Sequence, residues 1–395
     1  MNFLKLTDMD LEGKKVIVRV DYNVPIKNGL VADDTRIKAS IPTINYLLEK
    51  KCKIILMSHL GRPQKALRKG QSMDEVKKEF TLKPVVHELS ELLGMEVIFA
   101  EHYLEEKLPD ADIILLENIQ FNEGEVTNGD GFAKKMASLA DVYVNDGFAQ
   151  SHREYATFCA ITNHLPSCAG FLVEKEAREL SKILNPNKPF VAMIAGAKAD
   201  KIGALKVLIE KTDNLLIGGV MANTFLKTKG IDIGASRFDE ETFDMAEELL
   251  SLGKDKFVLP VDLVVANEFS NDADTKTVSV DDIPGDYMAL DIGPKSIEKY
   301  KSILKDAKTI LWAGPLGVFE MEKFATSTKE IGKFLESLDA QKIAGGGDTG
   351  AAIATFGLQK SMTHVSTGGG ASLEFIEKEG KLPALVALEK SAKNQ

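Results

Sequence analysis

The residues richest in chemistry lie near the end of the chain, in KIAGGGDTGAA from Lys342 to Ala352. A short apolar run stops at Gly345, Gly346 and Gly347, and Asp348 and Thr349 then precede an alanine-rich helical start. A strand, a glycine turn and a helix N-terminus present backbone N–H groups to an anion, and the helix dipole favours negative charge there. Glycines let the backbone approach a phosphate with no Cβ in the way. A carboxylate at Asp348 would repel that phosphate unless a cation lay between them. The stretch therefore predicts a nucleotide phosphate with Mg²⁺, the metal held in part by Asp348. A helix cap on a tight turn is the plainer alternative and uses the same residue types.

Gly345, Gly347 and Gly350 also satisfy G-x-G-x-x-G, the dinucleotide fingerprint, which needs an acid closing the next strand to hold a ribose. The next apolar strand, His364 to Ser366, runs instead into Thr367, Gly368, Gly369 and Gly370. No G-x-x-x-x-G-K-[ST] occurs, so an ordinary P-loop is excluded as well. A nicotinamide-dependent dehydrogenase is left resting on the formal glycine pattern alone.

These groups need a scaffold, and the chain supplies one by alternating strand and helix patterns along its length. Strand-like runs fall at 16–20, 54–57, 97–99, 113–116 and 142–144. After a break they resume at 190–194, 215–217, 258–265, 309–312, 343–344 and 364–366. Helical stretches such as 83–93, 131–139 and 202–211 separate them. Continuous Val/Ile/Leu runs between helices predict parallel sheets covered on both faces, an α/β protein. The break is a charged helix at about 173–184, followed by Asn185, Pro186 and Asn187. A helix is a stiff link, so the two domains are expected to move as bodies about defined hinges.

Open α/β sheets bind ligands at the carboxyl ends of their strands. In the first half those ends carry polar side chains: Asp21 and Asn23, Ser58 and His59 with Gly61 and Arg62, Glu117 and Asn118, Asn145 and Asp146. In the second half they carry glycines, at 196, 218–219, 314, 345–347 and 368–370. One half suits a small anionic, hydroxylated molecule, and the other suits a flat base and its phosphates. Two half-sites fit a transfer reaction that domain closure shields from water. Two cations add to this. Arg36 follows the first polar strand end in DDTR, and Lys198 follows Gly196. Phosphoryl transfer needs positive charge on the equatorial oxygens more than it needs a general base.

The bulk properties exclude other classes. The chain has 395 residues, enough for two domains, and a net charge of −10 with no concentrated basic run argues against nucleic-acid binding. The start MNFLKLTDMD lacks the apolar core of a signal peptide, and no apolar run reaches transmembrane length. Cys52, Cys159 and Cys168 are odd in number and lack metal-ligand spacing. The expectation is a cytoplasmic chain with small-molecule substrates and neither a nucleic-acid nor a membrane partner.

Taken together, VRVDYNVP, DDTRI, ILMSHLGRP, DVYVND, GAK, IGG with MANTFLK, LDIGP, GVFE, GGGDT and STGGGASLEF occur in the order found in phosphoglycerate kinases, and the chain resembles that family nearly end to end. The resemblance implies reversible phosphoryl transfer between ATP and 3-phosphoglycerate, giving ADP and 1,3-bisphosphoglycerate, in glycolysis or its reverse. It also implies a monomer of two Rossmann-like lobes with mainly parallel sheets, joined by a helix and hinge. The phosphoglycerate-binding lobe would comprise 1–171 plus 380–395, the connecting helix 172–185, and the nucleotide-binding lobe 186–379. Carried over by motif, Asp21, Asn23, Arg36, His59, Arg62 and Arg153 would hold the glycerate and its phosphate. Arg36 and Lys198, with the amides of Gly346 and Gly347, would stabilise the transferring group. Lys198, Lys201, Asp348 and Thr349 would serve the nucleotide phosphates and the Mg²⁺ of Mg-ATP or Mg-ADP, and Glu320 the ribose.

The chain departs from the family pattern in five places. Gln120 stands where arginine is usual in the substrate-phosphate cluster, Ala313 replaces the Asn of WNGP, and Val220 replaces the third glycine of IGGGMAN. GAKADKI is one residue shorter than the commoner GAKVSDKI, and Tyr155 stands where many members have a second His after HR. Gln120 predicts a weaker hold on the substrate, about 10- to 100-fold, because glutamine offers an N–H but no charge. A catalytically weakened relative kept for binding or regulation is the alternative. Retention of Arg36, Lys198 and GGGDT favours the enzyme.

Overall fold

The computed structural model describes residues 2–196 and 202–394, so Lys198 and Lys201 lie outside the described residues. The chain divides into two compact units, Met1–Ala177 with Lys381–Gln395, and Arg178–Gly380. The helix Phe171–Leu184 carries the boundary.

The first unit begins with β1 (Lys15–Arg19), whose Val16, Ile17 and Val18 are fully buried. Consecutive buried β-branched residues are what a strand covered on both faces requires. A short hairpin of β2 (Ile26–Lys27) and β3 (Leu30–Val31) follows. Then come β4 (Lys53–Met57), β5 (Ile98–Ala100), β6 (Ile113–Leu116), β7 (Val142–Asn145) and β8 (Ser167–Ala169). Six of these form a sheet in the order β5-β6-β4-β1-β7-β8, parallel throughout. The strand order turns back at β1 and β7, so a crevice is expected outside their carboxyl ends. The helix Pro383–Asn394 belongs to this unit: Ala384 N–H donates to Ser151 O (3.1 Å), and Glu389 Oε1 accepts from Asn2 N–H (2.9 Å).

In the second unit, β9 (Phe190–Ile194), β10 (Asn214–Ile217), β11 (Phe257–Val258), β15 (Thr309–Ala313), β16 (Gln341–Gly345) and β17 (His364–Val365) form a parallel sheet in the order β11-β10-β9-β15-β16-β17. Counted along the chain this is 3-2-1-4-5-6, the doubly wound arrangement, with its switch point between β9 and β15. Each unit has its own apolar core, one around Val18, Leu56 and Leu115, the other around Met193, Trp312 and Ile310.

The run 258–265, expected as one strand, is two. It breaks at Pro260, which has no N–H to continue a ladder. Beyond it, β12 (Asp262–Ala266), β13 (Thr275–Ser279) and β14 (Met288–Ile292) make a separate antiparallel sheet. Asp262 explains the new direction. Its carboxylate accepts from the backbone N–H groups of Lys295 (3.0 Å) and Ser296 (2.7 Å), which fastens the strand to the first turn of the helix Pro294–Leu304.

Candidate active site

In the first unit the residues of VDYN follow directly on the end of β1. Tyr22 is buried, with its hydroxyl bonded to Ser40 Oγ (2.9 Å) and its N–H donating to Ser58 Oγ (2.8 Å). Asp21 Oδ2 accepts from Arg36 Nη1 at 2.6 Å, and Asp21 Oδ1 lies 3.9 Å from His59 Nδ1. Asn23 Oδ1 accepts from Gly61 N–H (2.9 Å), which pins the loop after β4 to the end of β1.

Beside these groups is a cavity of about 450 Å³. Asn23, His59, Gln120 and Tyr155 line it, together with four cations, Arg62, Lys65, Arg68 and Arg153. Among the described residues no carboxylate is in its lining. Its charge and size suit a small anion.

His59 is buried, and its Nδ1 has no hydrogen-bond partner among the described residues. Burial pushes the imidazole down to about 3. The nearby guanidinium groups add to that, while Asp21 pulls the other way. The ring is therefore neutral at physiological pH, and its buried Nδ1 lies 3.9 Å from the Asp21 carboxylate without a hydrogen bond. Below it sits Arg19, wholly buried under the site. Its Nε donates to Thr157 Oγ1 (3.0 Å), its Nη1 to Val20 O (2.6 Å), and its guanidinium lies 4.6 Å from the Phe158 ring centroid. Glu125, 3.9 Å from Nη2, accepts from the N–H and hydroxyl of Thr157, so ion pair and hydroxyl together brace the wall that continues as Val126 and Thr127.

In the second unit, the glycines following β16 lead into the helix Gly347–Thr355. Gly346 has φ +97 and ψ 143, a region open essentially to glycine alone, and it orients the first turn. The first intrahelical bond is Gly350 N–H to Gly346 O (3.1 Å). The N–H groups of Gly347 and Asp348 precede it on exposed residues and are available to an anion. A Cβ added at Gly347 or Gly350 would meet nothing within 4 Å, so the approach is open. Thr349 itself is buried. Its hydroxyl donates to Gly345 O (2.8 Å) and accepts from Gly314 N–H (2.7 Å), which joins the ends of β15 and β16. At the neighbouring strand ends Gly219 has φ +59, and a Cβ there would stand 2.8 Å from Gly196 N. Backbones this close leave the floor without side chains. Asp348 and Glu320 are exposed.

The structure thus brings Asn23, His59, Arg62 and Arg153 into one cavity, with the Asp21–Arg36 pair beside His59. It sets Gly346, Gly347, Asp348 and Thr349 at one helix start. The polar end of β6 serves the backbone instead. Glu117 Oε1 accepts from Leu82 N–H (2.9 Å), and Asn118 Nδ2 donates to Leu60 O (2.8 Å) and Phe80 O (2.9 Å). Lys65 and Arg68 were not anticipated. Their signal is the i, i+3 spacing from Arg62 through the short helix Pro63–Arg68, whose Pro63 and Ala66 face inward.

The sequence pattern of the family described as "Phosphoglycerate kinase" matches residues 6–380. The chain belongs to the phosphoglycerate kinase family. A phosphoglycerate kinase of Thermosipho africanus (strain TCF52B) is 47% identical, covering 100% of this chain and 99% of its own. Among solved structures, a phosphoglycerate kinase from Coxiella burnetii superposes with a TM-score of 0.88 at 39% identity, covering all of both chains. One from Pyrococcus horikoshii OT3 gives 0.85 at 31%, covering 99% of this chain and all of its own. As a phosphoglycerate kinase the chain is a phosphotransferase with a carboxyl acceptor, acting reversibly between ATP and 3-phosphoglycerate in glycolysis. Among the described residues no helix is long and apolar enough to cross a membrane.

Proposed function

We propose that the cationic cavity of the first unit holds 3-phosphoglycerate and that the glycine-lined strand ends of the second hold Mg-ATP. The observation that carries this reading is the cavity with four cations, no carboxylate in its described lining, and a neutral buried histidine short of a partner. Arg62 and Arg153 take the phosphate, while Asp21, Asn23 and His59 orient the glycerate hydroxyl and carboxylate. Arg36, placed by its bond to Asp21, and Lys198 neutralise charge on the transferring group. The N–H groups of Gly346 and Gly347 add to this, Lys201 serves the nucleotide phosphates, and Glu320 the ribose. Thr349, wholly buried with its hydroxyl committed to the strand ends, serves the nucleotide phosphates by fixing the turn that presents the N–H groups beside it.

Among the described residues no group of three metal-ligating side chains occurs, and Asp348 is a lone exposed carboxylate. That suits a Mg²⁺ arriving with the nucleotide, whose other ligands are phosphate oxygens and water. Held in part by Asp348, the metal would spread the negative charge of the nucleotide phosphates. We read the protein as a cytoplasmic monomer with small-molecule substrates only.

The test is a coupled assay. Purified protein should consume ATP with Mg²⁺ only when 3-phosphoglycerate is present. ATP consumption that is absent, or that proceeds without the glycerate, overturns the reading.

A further inference from the structure

Lys65 and Arg68 of the short helix Pro63–Arg68 are two of the four cations of the cavity but have no role in the reading above, although the helix forms one wall of it. Its buried positions, Pro63 and Ala66, are three apart, and so are Lys65 and Arg68, which are exposed and line the cavity. Helix geometry puts residues three apart on one face, so the inner pair anchors the helix and the outer pair shares an edge with Arg62. Neither Lys65 nor Arg68 has an ion-pair partner among the described residues, in a chain with net charge −10 and ample acid to supply one. The helix is also tethered to the facing wall. Gln64 Nε2 donates to the backbone carbonyls of Gln120 (3.0 Å) and Phe121 (3.2 Å). Gln120 is buried there and brings an amide but no charge.

We infer that Lys65 and Arg68 are substrate-binding residues, with the helix Pro63–Arg68 supplying the positive charge for the glycerate phosphate that the Gln120 wall lacks. Cations with no ion-pair partner among the described residues, at the rim of a cavity whose described lining has no carboxylate, raise the local concentration of an anionic ligand and grip its phosphate. Gln64 fixes how far they stand from Gln120. This inference rests on the proposal that the cavity holds 3-phosphoglycerate.

Lys65→Ala, Arg68→Ala, the double variant and Arg62→Ala would be compared by the coupled assay and by titration with 3-phosphoglycerate in the absence of nucleotide. The single changes should raise KM for 3-phosphoglycerate about threefold to tenfold and the double change about 20-fold or more, with KM for ATP unchanged. KM for the glycerate should also depend less steeply on salt in the double variant. Adding Gln120→Arg to the double variant should recover most of the lost affinity, whereas in the parent it should gain much less. Both substituted positions are exposed, so folding is not at stake. If the double variant keeps the parent's KM and salt dependence while Arg62→Ala raises KM, the inference fails and the cavity assignment stands. If Arg62→Ala also has no effect, the cavity assignment fails and takes this inference with it.

Discussion

At the scale of single residues, His59 is the clearest case of burial deciding chemistry. Its imidazole titrates at about 3 in the folded protein, against its ordinary value near 6.5 when the chain is unfolded. Between those values the unfolded chain holds a proton that the folded chain does not. The stability His59 gives is therefore complete above about 6.5 and is lost as pH falls toward 3. Between pH 7 and 4.5 that loss should reach roughly 2 kcal/mol, and His59→Gln should remove most of it. Urea midpoints of both proteins at the two pH values test this, and equal acid losses would show that another group is responsible. Residue types alone could not give this environment. The sequence shows Ser58, His59, Glu117 and Asn118 as equivalent polar strand ends. The folded chain commits Ser58, Glu117 and Asn118 to the backbone and leaves His59 with an unpartnered nitrogen. Lys65 and Arg68 were hidden for a related reason, since a surface cation and a cavity-wall cation are spelled alike.

At the scale of elements, the hydroxyl of Thr349 ties two strand ends to the helix that starts beside them. Thr349→Val keeps the shape but leaves the buried Gly314 N–H without a partner, at a cost of about 1–3 kcal/mol. The helix start should loosen with it, so KM for ATP should rise while KM for 3-phosphoglycerate holds. Gly346→Ala acts on the same turn through the backbone: at φ +97 an alanine is strained by about 1–3 kcal/mol, and its Cβ would stand 3.4 Å from Thr349 Oγ1. Denaturation curves and separate KM measurements check both variants. Unchanged nucleotide binding in each would remove this turn from the nucleotide site. The elements themselves were largely legible, because parallel strands buried on both faces write themselves as unbroken Val/Ile/Leu runs. The run at 258–265 misled for the same reason. It is apolar on both sides of Pro260, and nothing local says that its second part pairs antiparallel in another sheet.

At the scale of the molecule, the last helix completes the first unit. Leu385 and Leu388 within that helix and Leu382 just before it are buried, and each such side chain contributes about 1.5–3 kcal/mol when removed from water. A chain ending at Gly380 should therefore lose several kcal/mol from the first unit while the second keeps its own stability. A second, earlier unfolding transition in denaturant would show this, and a single transition at the parent midpoint would contradict it. The order of these segments also bears on how the protein is made. The first unit leaves the ribosome first, but its segment Lys381–Gln395 is polymerised only after about 200 residues of the second unit. At about 5–20 residues per second, some 10–40 s pass during which the places of Leu385 and Leu388 stand open and wet. The second unit, encoded in one continuous stretch, can mature before its older neighbour, so the part of the nascent chain most exposed to misassembly is the part synthesised earliest.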